Sequence, residues 1–186
     1  MIQKALQVAY ELHKGQKRKC SQAPYYVHIL DVARHLMAEL TATEEVIVAG
    51  ILHDTLEDTP YTASQLEQDF SPQIRQLVEF ASEPAKDSHT SKTDKRQTWK
   101  QRKQHTLNAC QTATHDQLLI LLADKLSNLQ SLNDALVLHG DSIWDHFNAD
   151  KDDIIWYYLE MQKILRDEMR DTRMLPLYEG LVNVVF

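Results

Sequence analysis

Glycine, proline and cysteine are all scarce in this chain, and each shortage excludes a class of protein. The 186 residues include four glycines and five prolines, which are too few for a β-rich chain full of tight turns. The two cysteines, Cys20 and Cys110, provide no disulfide framework, and this usage favours a reducing compartment. We therefore expect a cytoplasmic protein.

Long apolar runs and an excess of positive charge are absent as well. No run approaches the roughly 18 residues of a membrane-spanning helix, and the N-terminal sequence lacks the apolar core of a signal peptide. The formal net charge of −7 argues against general nucleic-acid binding. We expect a protein that acts on a small molecule without membrane or nucleic acid, and a homo-oligomer stays open as an alternative to a monomer.

Apolar residues recur at helical spacing through most of the sequence. Helices are predicted over residues 2–12, 26–40, 46–57, 63–70, 72–82, 116–138 and 150–169, with helical pattern also resuming near Thr98 and after Pro176. The second helix is predicted to carry an apolar stripe of Val27, Leu30, Ala33, Leu36, Met37 and Leu40. The length fits one domain. The prediction is a single-domain, all-α helical bundle.

A polar and basic stretch interrupts this pattern. Residues 83–97 show no apolar period and are predicted to form a mobile loop. Between Lys86 and His105 the chain carries seven lysines or arginines against two aspartates, and residues 14–19 add four more basic side chains. Two interpretations stay open. In the first, both stretches are solvated surface. In the second, they attract phosphate to an acidic pocket, and Lys86–His105 forms a flap whose Arg96 or Arg102 closes on the ligand.

The adjacent pair His53-Asp54 is the most informative motif. An imidazole and a carboxylate side by side offer nitrogen and oxygen to one divalent cation. His28 and Asp124 lie in two other predicted helices, and an ionised aspartate within Leu-Leu-Ala-Asp-Lys-Leu costs free energy unless it is paired or coordinated. We predict that all four side chains bind one metal ion. The alternatives are a hydrogen-bonded core histidine at position 28 and an exposed aspartate at position 124.

Two carboxylates follow this pair by about one helical turn. Glu57 and Asp58 can therefore face the same pocket. Carboxylates that are close to a metal, yet not needed as ligands, suit general acid–base catalysis. A bound cation would also lower the pKa of its water. The alternative is an acidic helix end without a catalytic role.

Candidate substrate-binding residues lie on either side of this motif. Asn128 and Ser131 follow Asp124 by four and seven residues on one helical face, where they can hydrogen-bond a ribose or phosphate. Arg18 and Lys19 precede the second helix, and a guanidinium can stack on a purine or pair with phosphate. Residues 156–158 read Trp-Tyr-Tyr, so at least one faces the core and one is a candidate for a base pocket.

The ordered motifs resemble those of the HD-domain phosphohydrolase superfamily. The likeness is greatest to the hydrolase domain of Rel/Spo-type alarmone enzymes and their small stand-alone relatives, over about residues 3–170. The motifs that carry it are Arg18-Lys19, Pro24-Tyr25, His28, His53-Asp54-Thr-Leu-Glu57-Asp58-Thr59 and Leu-Ala-Asp124-Lys-Leu-Ser-Asn128-Leu. The resemblance implies an all-α HD fold and removal of the 3′-pyrophosphate from guanosine tetra- or pentaphosphate.

The resemblance also implies roles for individual residues. One Mn²⁺ ion is expected on His28, His53, Asp54 and Asp124. Glu57 and Asp58 are expected to handle the water, Arg18 and Lys19 to hold the guanine, and Asn128 to contact the nucleotide. The chain departs from the family at Gln22-Ala23, where Gly-Thr is usual, and at Ile29, where Pro is usual. These changes alter the loop that shapes the base pocket.

Other functions and another metal stoichiometry also fit the residues. The chain would suit a phosphatase of another nucleotide, such as a nucleoside monophosphate or the 2′-phosphate of NADPH, or a nucleotide-binding sensor without catalysis. A second metal ion would need further histidine ligands between His53 and Asp124. His89, His105 and His115 are available, but they fall in polar, loop-like sequence. We therefore expect a single ion.

Overall fold

A computed structural model describes residues 1–82 and 92–186 of the chain, with side chains for 1–82 and 98–186. Within these residues every regular element is a helix, and an isolated antiparallel bridge joins Lys17 to Pro24. The elements are α1 Ile2–Leu12, α2 Tyr26–Met37, α3 Glu44–Leu52, α4 Thr55–Asp58, α5 Ala63–Asp69, α6 Pro72–Ala81, α7 Lys92–Cys110, α8 His115–His139, a 3₁₀ helix Gly140–His146, α9 Lys151–Glu168 and α10 Met174–Val185. The all-α prediction is confirmed.

Helix α8 is the central element of the bundle. It begins with a capping box, in which Thr114 and Gln117 satisfy each other's backbone amides. Its leucines from Leu118 to Leu132 face several directions and are buried, because α2, α3, α6, α9 and α10 all pack against the helix. The helix ends before Gly140, whose positive φ of 62° suits glycine. Asp124 therefore lies near the middle of the central helix.

The predicted continuous helix over residues 46–57 is wrong at one point. Helix α3 ends at Leu52, His53 and Asp54 form a turn, and α4 starts at Thr55. The side chains explain the break. His53 Nδ1 donates to the Gly50 carbonyl at 2.8 Å, and Thr55 Oγ1 donates to the Leu52 carbonyl at 2.6 Å. These carbonyls thus bind side chains near the point where the regular backbone ladder stops.

Helix α2 buries a different face from the one predicted. Ala33 and Leu36 are buried as expected. The rest of the buried face consists of His28, Ile29, Val32 and His35. The exposed residues include Val27, Leu30, Met37 and Leu40, and Leu40 lies beyond the end of the helix with 87% of its surface exposed. The face was mispredicted because both histidines point inward, where His35 is hydrogen-bonded to Gln130 at 3.1 Å.

Most of the remaining boundaries agree with the sequence pattern. Helices α5, α6, α8 and α9 each match their predicted range within one residue at either end. The predicted loop over residues 83–97 is wrong from Lys92 onward, where α7 begins, and its first part lies outside the described residues. Pro176 lies in the first turn of α10, where its missing amide hydrogen costs little. None of the described helices is long and apolar enough to cross a membrane.

Candidate active site

Three separate elements bring four polar side chains to one point in the core. His28 comes from α2, His53 and Asp54 from the turn after α3, and Asp124 from α8. The Nε2 atoms of the two histidines are 3.2 Å apart. Asp124 Oδ1 lies 3.3 Å from Nε2 of His28 and 3.6 Å from Nε2 of His53. Asp54 Oδ2 lies 2.9 Å from His53 Nε2 and 3.7 Å from His28 Nε2.

The second nitrogen of each histidine is already bonded. Nδ1 of His28 is hydrogen-bonded to Ser127 Oγ at 2.9 Å, and Nδ1 of His53 donates to the Gly50 carbonyl. Each ring therefore directs Nε2 toward the cluster, and partners of this kind hold a metal-binding histidine in its orientation. His28, His53 and Asp124 place one candidate ligand atom each within 4.8 Å of one another. This arrangement fits a single metal ion.

The two carboxylates of the cluster favour a cation, and its two histidines differ in the direction of their pKa shifts. Burial lowers the pKa of His28, which favours the neutral imidazole that can bind a metal. Burial also acts to lower the pKa of His53, but the carboxylates of Asp54 and Asp124 outweigh it and raise that pKa well above its usual value. Burial would raise the pKa of both carboxyls. Neighbouring positive groups, His53 for Asp54 and Lys125 for Asp124, instead hold each pKa below its usual value. Both carboxylates are therefore ionised.

A second layer of side chains holds the two carboxylates in place. The Tyr25 hydroxyl donates to Asp54 Oδ2. Lys125 Nζ donates to Asp124 Oδ2 at 2.6 Å, and Asn128 Nδ2 donates to Asp124 Oδ1 at 2.6 Å. Burial, followed by the nearby Asp54 charge, raises the pKa of Tyr25 well above its usual value, so the phenol stays a donor. The roles of Tyr25 and Lys125 were not predicted, although both lie within the quoted motifs.

A cavity of about 600 Å³ opens beside the cluster. Its walls contain six of the catalytic and substrate-binding candidates from the sequence: Arg18, Lys19, Glu57, Asp58, Asn128 and Ser131. Asp54 and Asp124 also reach this surface, whereas His28 and His53 lie beneath it with 1% and 2% of their side chains exposed. The structure thus joins a buried ligand cluster to an open, charged cavity.

The loop between α1 and α2 forms one wall of this cavity. Arg18 donates its backbone amide to the Ala23 carbonyl at 2.9 Å, beside the bridge between Lys17 and Pro24. Its guanidinium donates to Asn128 Oδ1 at 2.7 Å and lies 5.6 Å from the centre of the Tyr25 ring. A planar cation is therefore held next to the cluster, where it can stack on a base.

Some of the other basic and aromatic candidates line the cavity, and others do not. Tyr158 lines the cavity, Tyr157 is buried, and Trp156 lies beneath the ammonium of Lys100. Within the stretch from Lys86 to His105, whose first part lies outside the described residues, the cavity-lining residues are Trp99 and Lys103. Arg102, one of the two arginines predicted to close on the ligand, is not among these lining residues. The side chain of Arg96 also lies outside the described residues.

The histidines considered for a second metal ion lie elsewhere. His105 is exposed on α7, and His115 is exposed at the start of α8, so the prediction of loop-like surroundings was wrong for both. His89 lies outside the described residues. Neither His105 nor His115 is among the residues that line the cavity.

Known proteins resemble this chain in both sequence and fold. The HD domain family model matches residues 5–155. The chain is 35% identical over 131 residues to the guanosine-3′,5′-bis(diphosphate) 3′-pyrophosphohydrolase MESH1 of Mus musculus, and the match covers 69% of this chain and 68% of that protein. The crystal structure of lmo0812 from Listeria monocytogenes EGD-e superposes with a TM-score of 0.71 and 31% identity, covering 86% of this chain and 98% of that one.

Longer proteins match the same region. The putative GTP diphosphokinase RSH1 of Arabidopsis thaliana is 35% identical over 135 residues, which is 70% of this chain but only 15% of that protein. The chain therefore spans a small part of this relative and about two thirds of the mouse protein. The extent of the family match, together with the identity to the mouse protein, shows that the chain belongs to the HD domain family.

Proposed function

We propose that this protein is a metal-dependent phosphohydrolase that cleaves guanosine 3′,5′-bis(diphosphate) to GDP and pyrophosphate. The observation that carries the proposal is the convergence of His28, His53, Asp54 and Asp124 beneath a cavity lined by further carboxylates and bases. The name of the mouse relative states this activity, and the chain covers about two thirds of that relative. The proposed substrate is therefore a small nucleotide.

The cluster is proposed to hold one Mn²⁺ ion. His28 and His53 would bind it through Nε2, and Asp54 and Asp124 through one carboxylate oxygen each. Imidazole nitrogen and carboxylate oxygen form a mixed ligand set that Mn²⁺ accepts. When bound, such an ion lowers the pKa of water and polarises a phosphoryl oxygen. The ionised carboxylates and the inward-facing Nε2 atoms support this assignment.

Glu57 and Asp58 are proposed to move the protons of the reaction. Both lie on α4, which starts directly after the His53-Asp54 turn, and both line the cavity. The Asp58 amide donates to the Asp54 carbonyl at 2.9 Å, which ties this helical turn to the cluster. One carboxylate would accept a proton from the attacking water. The pair would return a proton to the 3′ oxygen of the nucleoside, whose bond to the pyrophosphate group breaks.

The remaining cavity residues are proposed to bind the nucleoside. Arg18 and Lys19 would hold the base, because the Arg18 guanidinium is fixed between Asn128 and the Tyr25 ring. Asn128 and Ser131 face the same cavity from α8 and can hydrogen-bond a ribose or phosphate. Tyr158 lines that cavity as well and offers an aromatic surface near the nucleoside.

A phosphatase of another nucleotide is the second candidate, and the loop that carries Arg18 favours it. Gln22 adopts a φ of 57° in that loop, at the position where the resembling family usually has glycine. The loop that holds Arg18 therefore departs from the family pattern in its backbone, while the Gln22 side chain is exposed and lies outside the cavity lining. A nucleoside monophosphate or the 2′-phosphate of NADPH would be the substrate in this case.

Product analysis separates the two functions. Purified protein with Mn²⁺ would be incubated separately with guanosine 3′,5′-bis(diphosphate), a nucleoside monophosphate and NADPH. Release of GDP and pyrophosphate from the first substrate is the expected result. Orthophosphate released from either of the others, without pyrophosphate from the first, would replace the first function by the second. Tight binding of all three without turnover would make the protein a nucleotide sensor.

A further inference from the structure

Two residues of α7 line the cavity, and one of them, Lys103, belongs to the basic stretch Lys86–His105 that was considered as a phosphate-attracting flap. Trp99 and Lys103 are four residues apart, so they share one face of the helix. Both are half-buried. Lys103 Nζ lies 5.8 Å from the centre of the Trp99 ring and 5.0 Å from the centre of the Tyr157 ring. The ammonium group is thus positioned by two aromatic rings at the cavity wall.

The Tyr157 ring connects this ammonium group to the ligand cluster. Lys125 Nζ lies 5.9 Å from the centre of the same ring and donates to Asp124 Oδ2 at 2.6 Å. Asp124, Lys125, Tyr157 and Lys103 therefore form a continuous series of contacts that leads from the cluster to α7. Lys125 contacts Asp124 directly, whereas the Tyr157 ring separates Lys103 from Lys125.

The charges of the cavity indicate a role for the Lys103 ammonium group. Its walls carry the carboxylates of Asp54, Glu57, Asp58 and Asp124, which repel any phosphorylated ligand. The ammonium of Lys125 is engaged by Asp124. A lysine ammonium is attracted to the faces of aromatic rings, and it binds phosphate oxygens as a point charge. Lys103 thus brings positive charge to the cavity from a different element than the loop of Arg18.

We propose that Lys103 binds a phosphoryl group of the substrate other than the one that is attacked at the cluster. This inference rests on the proposed function, because it takes the cluster as the place of hydrolysis. It defines the substrate class as nucleotides that carry at least one further phosphate. Nucleoside monophosphates have no second phosphate for Lys103 to bind.

Three variants test this role. Lys103→Met removes the charge but keeps an unbranched chain against Trp99 and Tyr157, and Lys103→Arg restores the charge. Lys100→Met is the matched control, because Lys100 lies on the same helix, pairs with Asp153 at 2.9 Å and lies 5.1 Å from the Trp156 ring, outside the cavity lining. Circular dichroism and thermal unfolding would establish that each variant is folded, with Lys103→Gln as a replacement if the methionine variant is not.

The measurements are the Kd of inorganic pyrophosphate for the Mn²⁺-loaded protein and the KM and kcat for guanosine 3′,5′-bis(diphosphate). Lys103→Met is expected to raise both Kd and KM about tenfold, the equivalent of about 1.4 kcal/mol, with kcat changed less than about twofold. Lys103→Arg should recover most of the affinity. Lys100→Met should stay within about twofold of the unmodified protein.

The outcomes separate this inference from the proposed function. If guanosine 3′,5′-bis(diphosphate) is hydrolysed and Lys103→Met leaves both Kd and KM unchanged, the role of Lys103 is wrong and the activity stands. If that nucleotide is not hydrolysed but pyrophosphate binding still depends on the charge at position 103, the phosphate site stands and the activity is wrong. A fall in kcat alone, with unchanged pyrophosphate affinity, would also contradict binding by Lys103.

Discussion

Asn128 accepts a hydrogen bond from Arg18 at 2.7 Å, which joins the loop between α1 and α2 to the central helix α8. The same amide group donates to Asp124 Oδ1 at 2.6 Å. A single side chain thus connects the proposed base-binding guanidinium to the ligand cluster. The orientation of Arg18 should therefore depend on Asn128.

Loss of either partner in this pair should weaken substrate binding, and the two losses should not add. Arg18→Ala is expected to raise KM about tenfold, because it removes a contact shared by the ground and transition states. In an Asn128→Ala background the same change should cost less, by an interaction energy of about 0.5–3 kcal/mol. Values of kcat/KM for the four proteins of a double-mutant cycle give that energy, and Arg170→Ala, an exposed arginine paired with Asp167, is the control. Strictly additive losses would show that Asn128 does not position Arg18.

The carboxylates of α4 should affect turnover more than binding. Glu57→Gln or Asp58→Asn is expected to lower kcat by roughly 10²–10⁴, the usual contribution of general acid–base catalysis, while the metal content stays unchanged. Steady-state kinetics and metal analysis of the same preparations would test this. Glu160→Gln, at an exposed pair with Lys163, should leave kcat unchanged. A rise in KM alone for both α4 variants would remove their proposed role.

The backbone conformation of Gln22 should lower the free energy of unfolding of the protein. A φ of 57° lies in the left-handed region, which costs a side-chain-bearing residue about 1–2 kcal/mol, whereas glycine adopts it without this penalty. Gln22→Gly is expected to raise the free energy of unfolding by about 0.5–1 kcal/mol, because the greater freedom of glycine in the unfolded chain offsets part of the gain. Denaturant unfolding measures this difference. Gln22→Ala keeps the strain and should bring no gain, so equal stabilisation by both variants would exclude strain as the cause.

The ligand cluster could be anticipated from the sequence because its chemistry is visible in short motifs. His53 and Asp54 are adjacent, and Asp124 stands within a leucine-rich helix where an unpaired charge is costly. Predicting that these side chains lie close together required only the assumption that the amphipathic helices pack into one bundle. The structure brings these side chains together with His28, and their binding of a metal stays a prediction.

Contacts between distant elements could not be anticipated in the same way. The position of Lys103 depends on how α7 packs against α9, and no periodicity in the sequence specifies which ring an ammonium will meet. The break after Leu52 depends on hydrogen bonds from the His53 and Thr55 side chains to backbone carbonyls, which compete with a strong helical pattern. The buried face of α2 was predicted wrongly because the pattern of apolar residues excludes histidines, and two histidines of this helix are buried.

The most direct measurement is the release of pyrophosphate from guanosine 3′,5′-bis(diphosphate) by chelator-treated protein as Mn²⁺ is returned stepwise. A cluster of two imidazoles and two carboxylates that holds one ion should give no hydrolysis in the metal-free state, because the attacking water would not be activated. Activity should return with Mn²⁺ and reach its plateau at one bound ion per chain. Full activity of the metal-free protein, or orthophosphate instead of pyrophosphate as the product, would contradict a metal-dependent pyrophosphohydrolase.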